Sequence, residues 1–229
     1  MEPPDLDDDN HDPSSPPHEP AARGVTTTRS LPITHLLYLH GFRSSPASAK
    51  ARQTLTWLAT HAPSVHCACP QLPPSPAQAF DLARTQVHAW LQAGASAAQV
   101  GVVGSSLGGF YATRLAEEFG CRAVLVNPAV DPARLLAQHI GEQRSFHGDE
   151  VFFFRPEFID ELRALHPGPL REPQRLLVFV AEGDEVLSWQ EMALRYAQAQ
   201  LRVLPGGDHA LSDYPRHLPQ AMAWLGLGA

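Results

Sequence analysis

The stretch Val100-Gly-Val-Val103 runs without interruption into Gly104-Ser-Ser-Leu-Gly-Gly109, and then into a helix-favouring segment that ends near Gly120. An apolar strand, a glycine-rich turn and a helix in immediate succession restrict the chain to a small set of α/β architectures. Gly104-Ser105-Ser106-Leu107-Gly108 fits the pattern G-x-S-x-G in one frame only, with Ser106 at its centre. A serine on so sharp a turn is held in strained backbone geometry with its hydroxyl exposed, and the glycines keep side chains out of the neighbouring strand and helix. The competing meaning, a phosphate-binding loop, requires G-x-x-x-x-G-K-[ST]. That pattern is absent, and the single lysine, Lys50, lies far away in the sequence.

The rest of the chain alternates in the same manner. Short β-favouring runs fall at residues 33–39, 65–69, 100–103, 123–126, 176–180 and 201–204. Helical spacing predicts helices over 47–60 (Leu55 and Leu58 on one side), through Phe80, Val87, Trp90 and Leu91, and over 107–119, 189–199 and 217–225. Strands separated by helices pair in parallel, because each crossover needs a helix, and apolar runs such as Leu176-Leu-Val-Phe-Val180 suit strands covered on both faces. The fold class is therefore α/β, a doubly wound, mostly parallel sheet of about six strands. Residues 131–174 break the alternation. They hold two predicted helices (132–140 and 156–165) and the run Phe152-Phe-Phe154, and read as a small lid-like insertion over the carboxyl ends of the strands.

Charge separates the ends of the chain. The net charge is −7 over 229 residues, yet residues 1–24 carry seven acids against Arg23 alone. With six prolines and little apolar content, residues 1–30 are expected to be a disordered acidic tail, and residues 31–229 the folded domain. The tail has neither the basic start nor the apolar stretch of a signal peptide. No basic stripe accompanies the 17 basic residues and no apolar run reaches membrane-spanning length, so neither nucleic acid nor a membrane is an expected partner. Three cysteines, Cys67, Cys69 and Cys121, suit a reducing cytoplasm, and no zinc or other metal site is expected. Cys67 and Cys69 are read as pointing to opposite faces of their strand.

A serine hydroxyl needs a base. Of twelve histidines, His209 in Gly206-Gly-Asp-His-Ala210 follows the last strand and completes the chain order Ser…Asp…His. Asp184, after the fifth strand, is the candidate acid that orients it, with Glu182 and Glu185 as nearby alternatives. Asp208 is set aside because adjacent residues seldom point at one another from a loop. The amides of Leu107 and Phe42 are the candidate donors to an oxyanion. Phe42, Tyr111 and Phe152 are candidates for lining an acyl pocket, although buried aromatic runs more often serve the core. His40 reads as a strand-end histidine with a satisfied ring.

Leu36-Leu-Tyr-Leu-His-Gly-Phe-Arg-Ser-Ser-Pro46, Ala49-Lys50-Ala51, Pro70-Gln-Leu-Pro-Pro74, Val103-Gly-Ser-Ser-Leu-Gly-Gly109, Val126-Asn-Pro-Ala129, Gly183-Asp-Glu-Val-Leu187 and Gly206-Gly-Asp-His-Ala210 together resemble the YqiA/YcfP-type esterases of the α/β-hydrolase fold. The resemblance covers residues 33–227 and excludes the tail. It implies a small cytoplasmic serine esterase without metal or organic cofactor, with Ser106 as nucleophile, Asp184 as acid and His209 as base. The expected partner is a small-molecule acyl ester with a short acyl chain. The alternatives are an acyl-CoA thioesterase, weakly favoured by Arg43 and Lys50, and a catalytically silent binding protein on the same fold. Asp208 stands where the resemblance leads one to expect an asparagine-like residue, and its charge is expected to raise the pKa of His209.

Overall fold

The computed structural model describes residues 32–228, so the tail expected over residues 1–30 lies outside the described region. The first half comprises β1 (His35–Leu39), α1 (Ala49–His61), β2 (His66–Ala68), α2 (Pro76–Gln92), β3 (Val100–Ser105), α3 (Leu107–Phe119) and β4 (Arg122–Val126). The second comprises α4 (Pro132–Leu136), β5 (Gly141–Arg144), β6 (Val151–Phe154), α5 (Glu157–Ala164), β7 (Leu176–Ala181), α6 (Trp189–Arg195), β8 (Gln200–Leu204) and α7 (Tyr214–Trp224).

Six strands form one parallel sheet in the order β2-β1-β3-β4-β7-β8. The chain moves outward from β1 to β2, reverses to β3 and then proceeds stepwise to β8. Right-handed crossovers place the helices of opposite travel on opposite faces. Side chains along the central strands alternate accordingly. Leu37, Leu39, Val100, Val102, Ala123, Leu125, Leu176, Val178 and Val180 pack with α2, α3 and α6, whereas Leu36, Tyr38, Val103, Val124, Val126, Leu177 and Phe179 pack with α1 and α7. All of these residues are buried, which is why the central strands carry no polar alternation. Among the described residues no helix is long and apolar enough to cross a membrane.

Three details differ from the sequence expectation. The buried stripe of α1 is Ala51, Thr54 and Leu58, with Leu55 only half-buried. Thr54 is accommodated because its hydroxyl bonds the Lys50 carbonyl at 2.8 Å and lies 3.0 Å from the Tyr214 hydroxyl. Cys67 and Cys69 share a face instead of opposing each other, since both pack on the α1/α7 side; strand residues two apart point the same way. The segment between β4 and β7 contains an antiparallel hairpin, β5–β6, that neither predicted helix anticipated, and α4 is shorter than 132–140, giving way to a 3₁₀ turn at Ala137–His139. Along β6 the aromatic run alternates: Phe154 is fully buried in the core, Phe153 faces solvent and Phe152 is half-buried.

Candidate active site

The carboxyl ends of β1, β3, β7 and β8 lie on one side of the sheet, and each leads into a loop that contributes to a single cluster. After β3 the chain turns at Ser106 with φ 55° and ψ −120°, a left-handed conformation unfavourable for a residue with a side chain. The turn is held by the Ser106 amide donating to the Val126 carbonyl (3.0 Å), and by the Ser106 carbonyl accepting from Gly109 (2.9 Å) and Ala129 (3.0 Å). A Cβ at Gly108 would lie 2.0 Å from the Leu39 carbonyl oxygen, and one at Gly104 would lie 2.2 Å from that of Gly108. Only glycine lets α3 start this close to β1 and β3.

His209, on the loop after β8, joins two groups. Its Nε2 lies 3.0 Å from Ser106 Oγ and its Nδ1 lies 2.8 Å from Asp184 Oδ2. A carboxylate only accepts, so Nδ1 carries the proton and Nε2 is free to accept from the serine hydroxyl. The Asp184 side chain is fully buried, and its other oxygen accepts from the amides of Val186 (2.8 Å) and Leu187 (2.7 Å). Those bonds hold its charge in place. The three residues singled out by chain order therefore meet.

The other acids near this cluster have separate positions. Glu185 accepts from the backbone amide of His209 at 2.9 Å. Asp208 accepts from Ser212 twice, at 2.8 Å from its amide and 2.6 Å from its hydroxyl. These bonds hold the Asp208 carboxyl below its ordinary range, assisted by Lys50 and His209. Asp208 thus closes a turn of the loop, and its hydrogen bonds go to Ser212 and not to the ring.

Asn127 was not singled out as a site residue, yet it ties this loop to the sheet. It follows β4 with φ 41°, a conformation that Asn tolerates better than most residues. Its side-chain amide donates to the carbonyls of Asp208 (3.0 Å) and His209 (3.1 Å), and its oxygen accepts from Ala181 (2.8 Å). It is fully buried. Asn127→Ala would leave these backbone groups unpaired and is expected to destabilise the fold by about 2–4 kcal/mol. A thermal melt is expected to show a fall of about 5–15 °C. An unchanged melting temperature would contradict this role.

The loop after β1 passes directly over the serine: a Cβ at Gly41 would lie 3.1 Å from Ser106 Cβ. His40 fastens this loop. Its Nδ1–H donates to the Gly41 carbonyl (3.0 Å) and its Nε2 accepts from the Leu72 amide (3.1 Å), so the ring is satisfied as a neutral tautomer. Burial lowers its pKa against the opposing Gly41 bond. Among the described residues neither the Phe42 nor the Leu107 amide donates to a protein acceptor. Two free amides beside a serine are what a developing oxyanion requires.

Two cavities meet at Phe42 and Leu107. One, of about 290 Å³, contains Ser106 and His209 and is walled by Leu135, Leu136, Phe146, Val186 and Leu187. The other, of about 280 Å³, is bordered by His40, Gln71, Tyr111, Glu150 and Phe152. Of the three aromatic residues expected to line an acyl pocket, only Phe42 borders the serine cavity; Tyr111 and Phe152 border its neighbour. Tyr111 is almost completely buried, and its ring packs on Phe110 and Phe80. Phe152 instead meets Phe42 edge-on, at 6.0 Å between ring centres. Leu135, Leu136 and Phe146 of the inserted segment, with Val186 and Leu187 after β7, supply walls that the sequence left unassigned.

A family model described as "Uncharacterised protein family (UPF0227)" matches residues 35–226. Among solved structures, the chain is similar to the esterase domain of a Rhodothermus marinus protein, with 21% identity over 87% of this chain and 88% of that one, and a TM-score of 0.61. It is also similar to Est1E from Butyrivibrio proteoclasticus with ferulic acid bound (12% identity, 87% and 90% covered, TM-score 0.59). A third likeness is to mouse alpha/beta hydrolase domain-containing protein 10 (17% identity, 80% and 85% covered, TM-score 0.57). What these three share with the chain is the α/β-hydrolase fold.

Proposed function

Because this chain belongs to the YqiA/YcfP family, UPF0227, and folds as an α/β-hydrolase, we propose that it is a serine carboxylesterase acting on short-chain acyl esters. The observation that carries this reading is His209, which bridges Ser106 Oγ and Asp184 Oδ2 through its two ring nitrogens beside an apolar cavity. The esterases among its structural relatives support it by analogy of fold.

Ser106 Oγ attacks the ester carbonyl while His209 Nε2 takes its proton, and Asp184 stabilises the imidazolium that forms. The carbonyl π electrons move onto oxygen, where the Phe42 and Leu107 amides receive them. The tetrahedral intermediate collapses, its carbon–oxygen bond to the alcohol breaks, and His209 returns the proton to that alcohol. Water then attacks the acyl-serine with the same base, releasing the acid and restoring Ser106.

Leu135, Leu136, Phe146 and Val186 give the acyl chain an apolar seat whose volume favours a short one. A thioester of CoA would need a cationic clamp for its phosphates. Lys50 is engaged with the Ala210 carbonyl, and Arg43 donates to the Arg144 carbonyl while lying over the Phe146 ring at 4.4 Å. The ester reading is therefore the one favoured.

A panel of p-nitrophenyl esters from acetate to laurate, run beside butyryl-CoA, tests the proposal. Turnover is expected to peak at short acyl chains and to exceed thioester turnover. Val186 is exposed at the rim of the cavity, so Val186→Trp fills it without disturbing the core. That variant is expected to lose hexanoate turnover by about tenfold more than acetate turnover, an effect in the range of pocket-size discrimination. No turnover of any ester, or a preference for laurate, would contradict the proposal.

A further inference from the structure

Lys50 is the only lysine in the chain. It stands in the first turn of α1, beside the loop that carries His209, and its ammonium donates to the Ala210 carbonyl, one residue beyond the histidine. Its charge also acts on Asp208 and Asp184.

The two loops that carry and hold His209 are otherwise acidic, whereas Arg43 and His139 border the cavity on its other side, Arg43 turned onto the Arg144 carbonyl and the Phe146 ring. Asp184 holds the ring at Nδ1 and Glu185 holds the backbone amide, both from the loop after β7. Asp208 precedes the histidine on the loop after β8. The phenols of Tyr38 and Tyr214, on the α1/α7 side of the sheet, have pKa values raised by burial and stay neutral. The Asp184 carboxylate on Nδ1, with the charge of the adjoining Asp208, favours a protonated imidazole, and a protonated imidazole cannot accept the serine proton. A nearby cation opposes them.

Burial holds the Lys50 ammonium down to about 8, with Asp208 and Asp184 only partly compensating. Its folded-state value therefore lies below the unfolded one. Below pH 8 the full penalty of burying the charge is present, and it falls away as pH rises from about 8 toward the ordinary lysine value. At neutral pH the charge is thus kept at some expense in stability, which suits a group retained for the site.

We propose that Lys50 is an electrostatic positioning residue for His209: its ammonium counters the carboxylates around the imidazole and keeps the ring neutral, while its bond to Ala210 fixes the loop that aims the ring at Ser106. The inference rests on the serine-esterase reading of this site.

The test is the His209 titration, followed by NMR on the full chain in wild type, Lys50→Met and Lys50→Arg. The His209 resonance is assigned by its absence from His209→Gln. Removing the cation is expected to raise the His209 midpoint by about half a pH unit or more, and Arg is expected to bring it back. The acid limb of kcat/KM for p-nitrophenyl acetate is expected to move with it. An unmoved midpoint in Lys50→Met overturns the proposal, because a purely structural tie would lower turnover at all pH values without shifting the titration. Should Lys50→Met not fold, folded wild type treated with cyanate, which makes the Lys50 amine neutral, is compared with reductively methylated protein, which keeps the charge. An unmoved midpoint after cyanate overturns the proposal equally. The NMR titration does not depend on turnover, so an inactive wild type would defeat the esterase reading while leaving this test intact.

Discussion

Ser106→Ala is expected to lower kcat for p-nitrophenyl butyrate by about 10⁴- to 10⁶-fold while the protein stays folded. The substitution deletes the one atom that forms the acyl bond and the contact with His209 Nε2. It leaves intact the backbone bonds that hold the turn, since those run through the Ser106 amide and carbonyl. The unfavourable φ is the same strain for either residue. A thermal melt close to that of wild type is therefore expected alongside the loss of activity. What remains over the uncatalysed rate would come from the oxyanion amides and from binding. Undiminished hydrolysis would show that another nucleophile acts.

Asp184→Asn is expected to lower kcat by about 10⁴-fold. The Asn side-chain oxygen can still accept from Val186 and Leu187, which preserves the loop, but its NH₂ then faces His209 Nδ1. That arrangement forces the imidazole proton onto Nε2, where it faces Ser106 and blocks proton acceptance. Glu185→Gln offers the contrast. Its side-chain oxygen can still accept from the His209 amide, and it touches neither ring nitrogen, so its effect is expected to stay within about tenfold. Rate measurements on the two variants at pH 8 decide between them. Equal losses would assign the orienting role wrongly.

The fold was readable where local pattern and tertiary demand agree. The buried strands announce themselves as apolar runs, and α3 begins and ends where the sequence places it, between the elbow and the left-handed Gly120. The hairpin was not readable in this way. Gly141-Glu-Gln-Arg144 has no apolar alternation, and it is a strand because it pairs with Val151–Phe154, residues whose aromatic side chains reach Phe42 and Phe158. Helix α7 starts earlier than predicted, at Tyr214. Pro215 sits in the first turn, where its missing N–H is not needed.

The same division runs through the site. Ser106, Asp184 and His209 each follow a recognisable strand, so chain order singles them out, with Glu182 and Glu185 beside Asp184 as alternatives until the ring contact decides. Asn127, Glu185 and Lys50 act on backbone groups of the His209 loop, across sequence separations of 81, 24 and 160 residues. A polar residue whose partner is a distant carbonyl or amide leaves no periodic trace. The walls of the serine cavity were hidden for a related reason, because they come from the insertion and from Val186 and Leu187, whose positions depend on the completed sheet.

Intact-mass spectrometry after treatment of the folded wild-type chain with a fluorophosphonate probe, followed by peptide mapping, tests the central claim most directly. Only a serine activated by a neighbouring base reacts readily. A single adduct mapping to Ser106, absent from Ser106→Ala and strongly slowed in Asp184→Asn, is the expected result. A folded protein that takes up no probe, or takes it up at another residue, would contradict an activated Ser106.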